Sequence, residues 1–162
     1  MKESRKCAAC TVFEGKIVVS GGVDFNSVES YDYYENKWDY FPSMILNRCY
    51  HATVSTGNNL FVIGGWHMSR LSCEVFNSFT RKFTLIKTFC YSNFEPECVS
   101  FCNGFAVFDV SDSSNYNKNY NYNPNKKANI YLYDAANNTF VAAETSHCES
   151  FCTASCVKYF VK

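Results

Sequence analysis

No excess charge of either sign marks the chain: fifteen Lys and Arg side chains face fifteen Asp and Glu in 162 residues. A nucleic-acid binder shows a basic patch or stripe; none is present, so nucleic acid is not an expected partner. No run approaches the roughly eighteen consecutive apolar residues of a membrane span, so no membrane association is expected. The opening Met-Lys-Glu-Ser-Arg-Lys leads into a mixed strand-like stretch rather than an apolar segment, which argues against a signal peptide. These absences predict a soluble, cytoplasmic protein. Alanine and leucine are sparse, and helical periodicity is missing. Aromatic residues, in contrast, are abundant. Fifteen Phe and twelve Tyr lift the aromatic fraction to 18%, which favours strands over helices. With 47% apolar residues the chain can build a packed core. Its length suits one domain or a piece of a larger one.

Ten cysteines invite a disulfide or zinc reading. Without a secretory signal the compartment is reducing, which disfavours disulfides. A structural zinc site wants two close pairs of ligands. The chain offers one Cys-x2-Cys, at Cys7 and Cys10, while His51, His67 and His147 stand far apart. Cys148, Cys152 and Cys156 are spaced to share one face of a strand as small apolar plugs. No metal and no cofactor are expected.

An internal repeat organises the sequence. Gly21-Gly22 returns as Gly64-Gly65, 43 residues on, and Arg5 and Ala9 return as Arg48 and Ala52 at the same spacing. Each Gly pair closes an apolar run. Downstream stand Tyr31-Asp32, Phe76-Asn77 and Tyr133-Asp134, each followed seven residues later by an aromatic: Trp38, Phe83 and Phe140. Breakers divide each unit into four strands. The first reads Cys7–Phe13, Lys16–Ser20, Val28–Asp32 and Lys37–Phe41. The second reads Tyr50–Ser55, Leu60–Ile63, Ser72–Asn77 and Lys82–Ile86. The third reads Cys98–Phe101, Phe105–Asp109, Asn129–Asp134 and Thr139–Ala142. Four-stranded sheets repeating every forty-odd residues predict an all-β propeller, with blades stacked around an axis.

The order Arg, apolar strand, Gly-Gly, Tyr-Asp, Trp, Met, Arg resembles the kelch repeat. The first unit matches most fully, through Gly21, Gly22, Glu29, Tyr31, Asp32, Trp38, Met44 and the following Arg48. The second keeps Gly64, Gly65 and Glu74 with Phe76 and Phe83; the third lacks the Gly pair but keeps Tyr133, Asp134 and Phe140. The expected blades span about 5–47, 48–94 and 95–147, the last with a loop insert at 111–128, and a fourth begins at about 148–162. The resemblance implies a partial propeller, because kelch-like adaptors typically carry six blades. The BTB and BACK segments that precede such propellers are absent from this chain, so contact with a cullin is expected only through a BTB domain it does not contain.

Candidate sites follow from the same frame. The Gly pairs read as blade geometry rather than a phosphate cradle, since neither a helix nor a Lys follows. Tyr31, Trp38, Phe76, Phe83, Tyr133 and Phe140 read as packing between blades, and Arg48 as structural. Cys49 and His51 share one strand face and are the nearest approach to a nucleophile and base, but no carboxylate marks a third member. No enzyme is expected. Loops on a fixed scaffold carry function, and the resemblance implies that loops at one mouth hold a protein partner. The mouth residues are Asp24, Phe25, Asn26, Tyr50, Trp66, His67, Met68 and Arg70, rich in the types that dominate interfaces. The resemblance implies substrate recognition for a cullin-RING ubiquitin ligase, or actin binding with a cytoskeletal location, or a degenerate copy. Trp38 is expected between blades, and Trp66 at the mouth.

Overall fold

The computed structural model describes residues 1–66, 72–87, 96–101, 104–109, 129–134 and 139–143. Among these residues all regular structure is β. The strands are β1 (Ala9–Phe13), β2 (Lys16–Ser20), β3 (Val28–Asp32), β4 (Lys37–Phe41), β5 (Ala52–Thr56), β6 (Asn59–Ile63), β7 (Ser72–Asn77), β8 (Lys82–Lys87), β9 (Glu97–Phe101), β10 (Gly104–Asp109), β11 (Asn129–Asp134) and β12 (Thr139–Ala143). They form three antiparallel four-stranded sheets in sequence order, β1 to β4, β5 to β8 and β9 to β12. The first strands lie side by side, β1 against β5 and β5 against β9, so the sheets fan outward from one edge. This is a blade arrangement. The expected start of a fourth blade and the insert at 111–128 lie outside the described residues.

Local chemistry sets the turns. Glu14 and Gly15, both at positive φ (50° and 73°), close the β1–β2 hairpin with two residues, the geometry that matches strand twist. Asp32 Oδ1 accepts the N–H groups of Tyr34 and Glu35, and Asn77 Oδ1 accepts those of Phe79 and Thr80. The residue after the repeated aromatic is therefore a turn former. The sequence predicts β1 from Cys7 and β5 from Tyr50, but both strands start two residues later. Cys7 and Tyr50 hold equivalent places at φ 57° and 55°, and the Tyr50 N–H donates to the Cys7 carbonyl at 3.0 Å. A left-handed kink leaves no mark in an apolar pattern, so the sequence reading runs through it.

The core lies between sheets. One cross-strand row recurs in identical register: Ile17–Tyr31–Trp38, Leu60–Phe76–Phe83 and Phe105–Tyr133–Phe140. The second row packs on the far face of the first sheet, with Phe13, Val18, Val28, Met44 and Phe41. The third packs on the far face of the second sheet, with Val54, Phe61, Ile63 and Cys73. The first row meets no sheet among the described residues. Tyr31 and Trp38 are consequently only half-buried, their rings 5.0 Å apart. Of the six aromatics expected between blades, Phe76, Phe83, Tyr133 and Phe140 pack there, while no sheet among the described residues lies against Tyr31 and Trp38.

Candidate functional site

Two copies of one charged circuit build the end of the molecule where β2–β3 and β4–β5 are joined. Arg5 Nη1 donates to the carbonyls of Gly21 (2.7 Å) and Ser27 (2.8 Å), and Nε donates to Glu29 Oε1 (3.1 Å). Forty-three residues on, Arg48 Nη1 donates to the carbonyls of Gly64 (2.6 Å) and Ser72 (2.9 Å), and Nε to Glu74 Oε1 (3.0 Å). Each carboxylate also accepts two backbone N–H groups, Glu29 from Lys2 and Glu3, Glu74 from Ile45 and Leu46. Both Arg side chains are 1% exposed and both Glu side chains 0%. Burial pushes the Glu29 carboxyl up, but the amides of Lys2 and Glu3 and the Arg5 guanidinium outweigh it and hold the group below its ordinary range. Each Arg ties the connection entering a sheet to the loop after its second strand. Arg48 is wholly engaged inside this circuit.

His51 joins the first two sheets. Ser20 Oγ lies 2.8 Å from His51 Nε2 and 2.8 Å from Thr53 Oγ1, whereas Nδ1 has no hydrogen-bond partner among the described residues. The ring sits between two glycines. A Cβ on Gly21 would come within 2.7 Å of His51 Cε1, and one on Gly65 within 2.8 Å of His51 Cβ. Both glycines also take positive φ, 62° and 97°, which other side chains resist. Steric closeness and backbone hand thus account for these two glycines without a ligand.

Burial, and then the charge of Arg48, lower the His51 pKa to about 3 from 6.5. The native state therefore binds fewer protons than the unfolded chain between these values, and stability falls as pH falls from 6.5. The slope approaches about 1.4 kcal/mol per pH unit. Glu29 adds a loss of the same sign only below about 4.5, its ordinary value. Urea unfolding at pH 6.5 and 5 is expected to show this fall in the parent chain. In His51→Gln the fall should shrink by close to one proton, and an unchanged slope would contradict the assignment.

The catalytic possibility does not assemble. Cys49 Sγ donates to the Trp66 carbonyl at 3.5 Å, while His51 Nε2 engages Ser20. Burial pushes the Cys49 thiol up, with Cys7 and Asp24 adding to the shift, which opposes thiolate formation. Among the described residues no three His, Cys, Asp or Glu side chains group as metal ligands.

The same backbone circuit presents an exposed apolar surface. The Gly22 N–H donates to the Arg48 carbonyl (2.8 Å), the Val23 N–H to Lys6 (3.1 Å) and the Trp66 N–H to Cys49 (2.7 Å). On this frame Val23, Ile45, Tyr50 and Trp66 stand 41–47% exposed, with Tyr50 and Trp66 rings 6.4 Å apart. Asp24 is exposed at φ 66°. Phe25 lies under the Arg5 guanidinium at 5.3 Å. Asn26 holds Met44 through its side-chain amide and its backbone carbonyl, so both residues brace the loop. His67, Met68 and Arg70 lie outside the described residues. Val23 falls in the connection that the sequence assigns to the mouth, whereas Ile45 was missed by sequence reasoning. Only its equivalence to the chain's N-terminal residues, through the 43-residue repeat, could have marked it.

The kelch motif model matches residues 4–45 and 47–79. Kelch-like protein 41b of Danio rerio is 40% identical over 75 residues, covering 44% of this chain and 12% of that protein. Kelch-like protein 40 of Xenopus tropicalis is 36% identical over 70 residues, 41% of this chain and 11% of that one. The chain thus spans a small part of the relatives it matches. The solved structure of YjhT superposes with a TM-score of 0.66 at 12% identity, over 88% of this chain and 52% of that chain. That likeness concerns the fold.

Proposed function

The chain is part of a kelch-repeat β-propeller, and from that premise we propose that it is a non-enzymatic protein-binding module that grips its partner at the Tyr50–Trp66 mouth. One observation carries the reading: four large apolar side chains, Val23, Ile45, Tyr50 and Trp66, stand exposed at one end on backbone fixed by buried Arg–Glu circuits. Rigid aromatic anchors bind with little loss of conformational freedom. The relatives' kelch-like character supports a finer reading: the partner is a protein delivered to a cullin-RING ubiquitin ligase in the cytoplasm, with the cullin held by a separate BTB domain.

Trp66 has Val23 as its counterpart in the first unit, so the repeat does not require an aromatic there. Trp66→Ala should leave the far-UV spectrum and melting nearly unchanged. It should weaken capture of a cell-lysate partner by at least roughly tenfold, the effect of losing a hot-spot aromatic. Equal capture by Trp66→Ala and parent would overturn the mouth assignment. Cosedimentation with filamentous actin, abolished by the same substitution, would replace the ligase reading with a cytoskeletal one.

A further inference from the structure

Five cysteines stand among the described residues, all as thiols, and their surroundings differ. Cys73 is wholly buried between the second and third sheets, and Cys98 packs against the same core. Cys10 is exposed on β1, where it pairs with Val19. Cys7 and Cys49 sit together where the chain enters the first two sheets. Cys7 is half-buried and Cys49 is 8% exposed.

One hydrogen bond brings this pair together. The Tyr50 N–H donates to the Cys7 carbonyl at 3.0 Å, so the backbones of Cys7 and Cys49 flank that bond. Standard bond lengths on either side hold the two Cα atoms within about 6.5 Å. A disulfide spans roughly 4.4–6.8 Å between Cα atoms. The two thiols also sense one another: burial raises the Cys49 pKa most, and charge on Cys7 and then Asp24 raises it further. Cys49 is tied to the mouth as well. Its Sγ donates to the Trp66 carbonyl at 3.5 Å, and the Trp66 N–H donates to the Cys49 carbonyl at 2.7 Å.

We propose that Cys7 and Cys49 form a reversible disulfide when the chain meets a small oxidised disulfide such as glutathione disulfide. Cys7, the more accessible thiol, loses its proton and attacks one sulfur of that molecule. A mixed disulfide forms and one glutathione thiolate leaves. The Cys49 thiolate then attacks the Cys7 sulfur, breaks the mixed disulfide and expels the second glutathione thiolate. The protons lost by the two cysteines go to the two glutathione molecules, so two protein thiols are oxidised and one small disulfide is reduced. The second step is intramolecular, which offsets the raised pKa of Cys49. Cys7 bearing glutathione also holds no charge, which removes one cause of that rise. The product ties the segment entering the first sheet to the segment entering the second, and takes the Cys49 hydrogen from the Trp66 carbonyl. The inference does not rest on the mouth reading, because the bond is detected in peptides and not through a partner.

The folded chain is incubated with glutathione disulfide, its remaining thiols are blocked, and tryptic peptides are read by mass spectrometry. Cys7 and Cys49 fall in peptides 7–16 and 49–70. The oxidised parent should yield these two joined, and dithiothreitol should release them. Cys10 shares the first peptide with Cys7, so two variants assign the sulfur. Cys10→Ser should keep the link, whereas Cys7→Ser should lower its yield roughly tenfold or more. Cys49→Ala should lose the link and accumulate the mixed disulfide of Cys7 with glutathione. A parent that stays unlinked overturns the inference, whether its thiols remain free or Cys7 stops at the glutathione adduct. A link that survives Cys7→Ser but not Cys10→Ser overturns it as well. If Cys49→Ala loses the parent far-UV spectrum, the parent, Cys7→Ser and Cys10→Ser decide the matter without it.

Discussion

Arg48→Met is expected to destabilise the chain by about 3–5 kcal/mol, the cost of removing one partner of a buried ion pair. The guanidinium joins four groups at once: Glu74, the carbonyls of Gly64 and Ser72, and Ser72 Oγ. Truncation leaves the Glu74 carboxylate fully buried with two amides and no cation. Arg48→Lys retains the charge but not the planar fork, so it should recover only part of the loss. The double variant Arg48→Met with Glu74→Leu should be less damaging than the sum of the two single changes, because no uncompensated charge remains. Urea midpoints for the four proteins decide this. Strict additivity would mean that the pair is not coupled. Set against a typical domain stability of about 5–15 kcal/mol, a loss of this size approaches global unfolding.

Phe76→Ala should cost a similar amount, about 3–5 kcal/mol, whereas Trp38→Ala should cost about 1–2 kcal/mol. The two residues belong to the same recurring row, but only Phe76 is enclosed. Its ring lies 4.6 Å from Phe41, 5.1 Å from Phe83 and 5.9 Å from Phe13. Trp38 contacts Tyr31 of its own sheet and remains half-buried. The expected place of Trp38 between blades is not filled among the described residues: its repeat position suits that role, but no described sheet packs against it. Thermal and urea unfolding of the two variants compares them directly. Equal losses would mean that the first face is covered in solution.

The repeat made much of the fold legible. Twelve strands in three sheets follow from breakers, apolar runs and a spacing that side chains alone disclose. Burial of Arg48 was legible in outline, since its match to Arg5 marked a repeated role. The partner was harder to find. Glu29 and Glu74 lie 45 residues apart rather than 43, and only the sheet register places each beside its Arg. The third unit carries neither half: Asn93 stands four residues before β9, as Arg48 does before β5, and Tyr131 holds the register position of Glu74. Loss of the third Gly pair thus accompanies loss of the circuit that such a pair serves. The left-handed kinks at Cys7 and Tyr50 had no sequence signal, because neither residue is one that positive φ normally selects. The mouth was legible as a set of loops, but not in its details. Asn26 and Phe25 look available in sequence and are used up in bracing, which depends on contacts with Met44 and Arg5 from other parts of the chain.

The account rests on sheets packed face to face in sequence order, each presenting its aromatic row to the sheet before it. A double-mutant cycle between Phe13 and Phe76, using Leu at both positions to limit disruption, tests this most directly. These residues come from β1 and β7, are remote in sequence, and touch only if the first two sheets stack as described. The predicted coupling is about 0.5–1.5 kcal/mol, the worth of an edge-to-face aromatic pair beyond its buried area. Urea unfolding free energies that add within about 0.3–0.5 kcal/mol, as for independent sites, would contradict the blade packing.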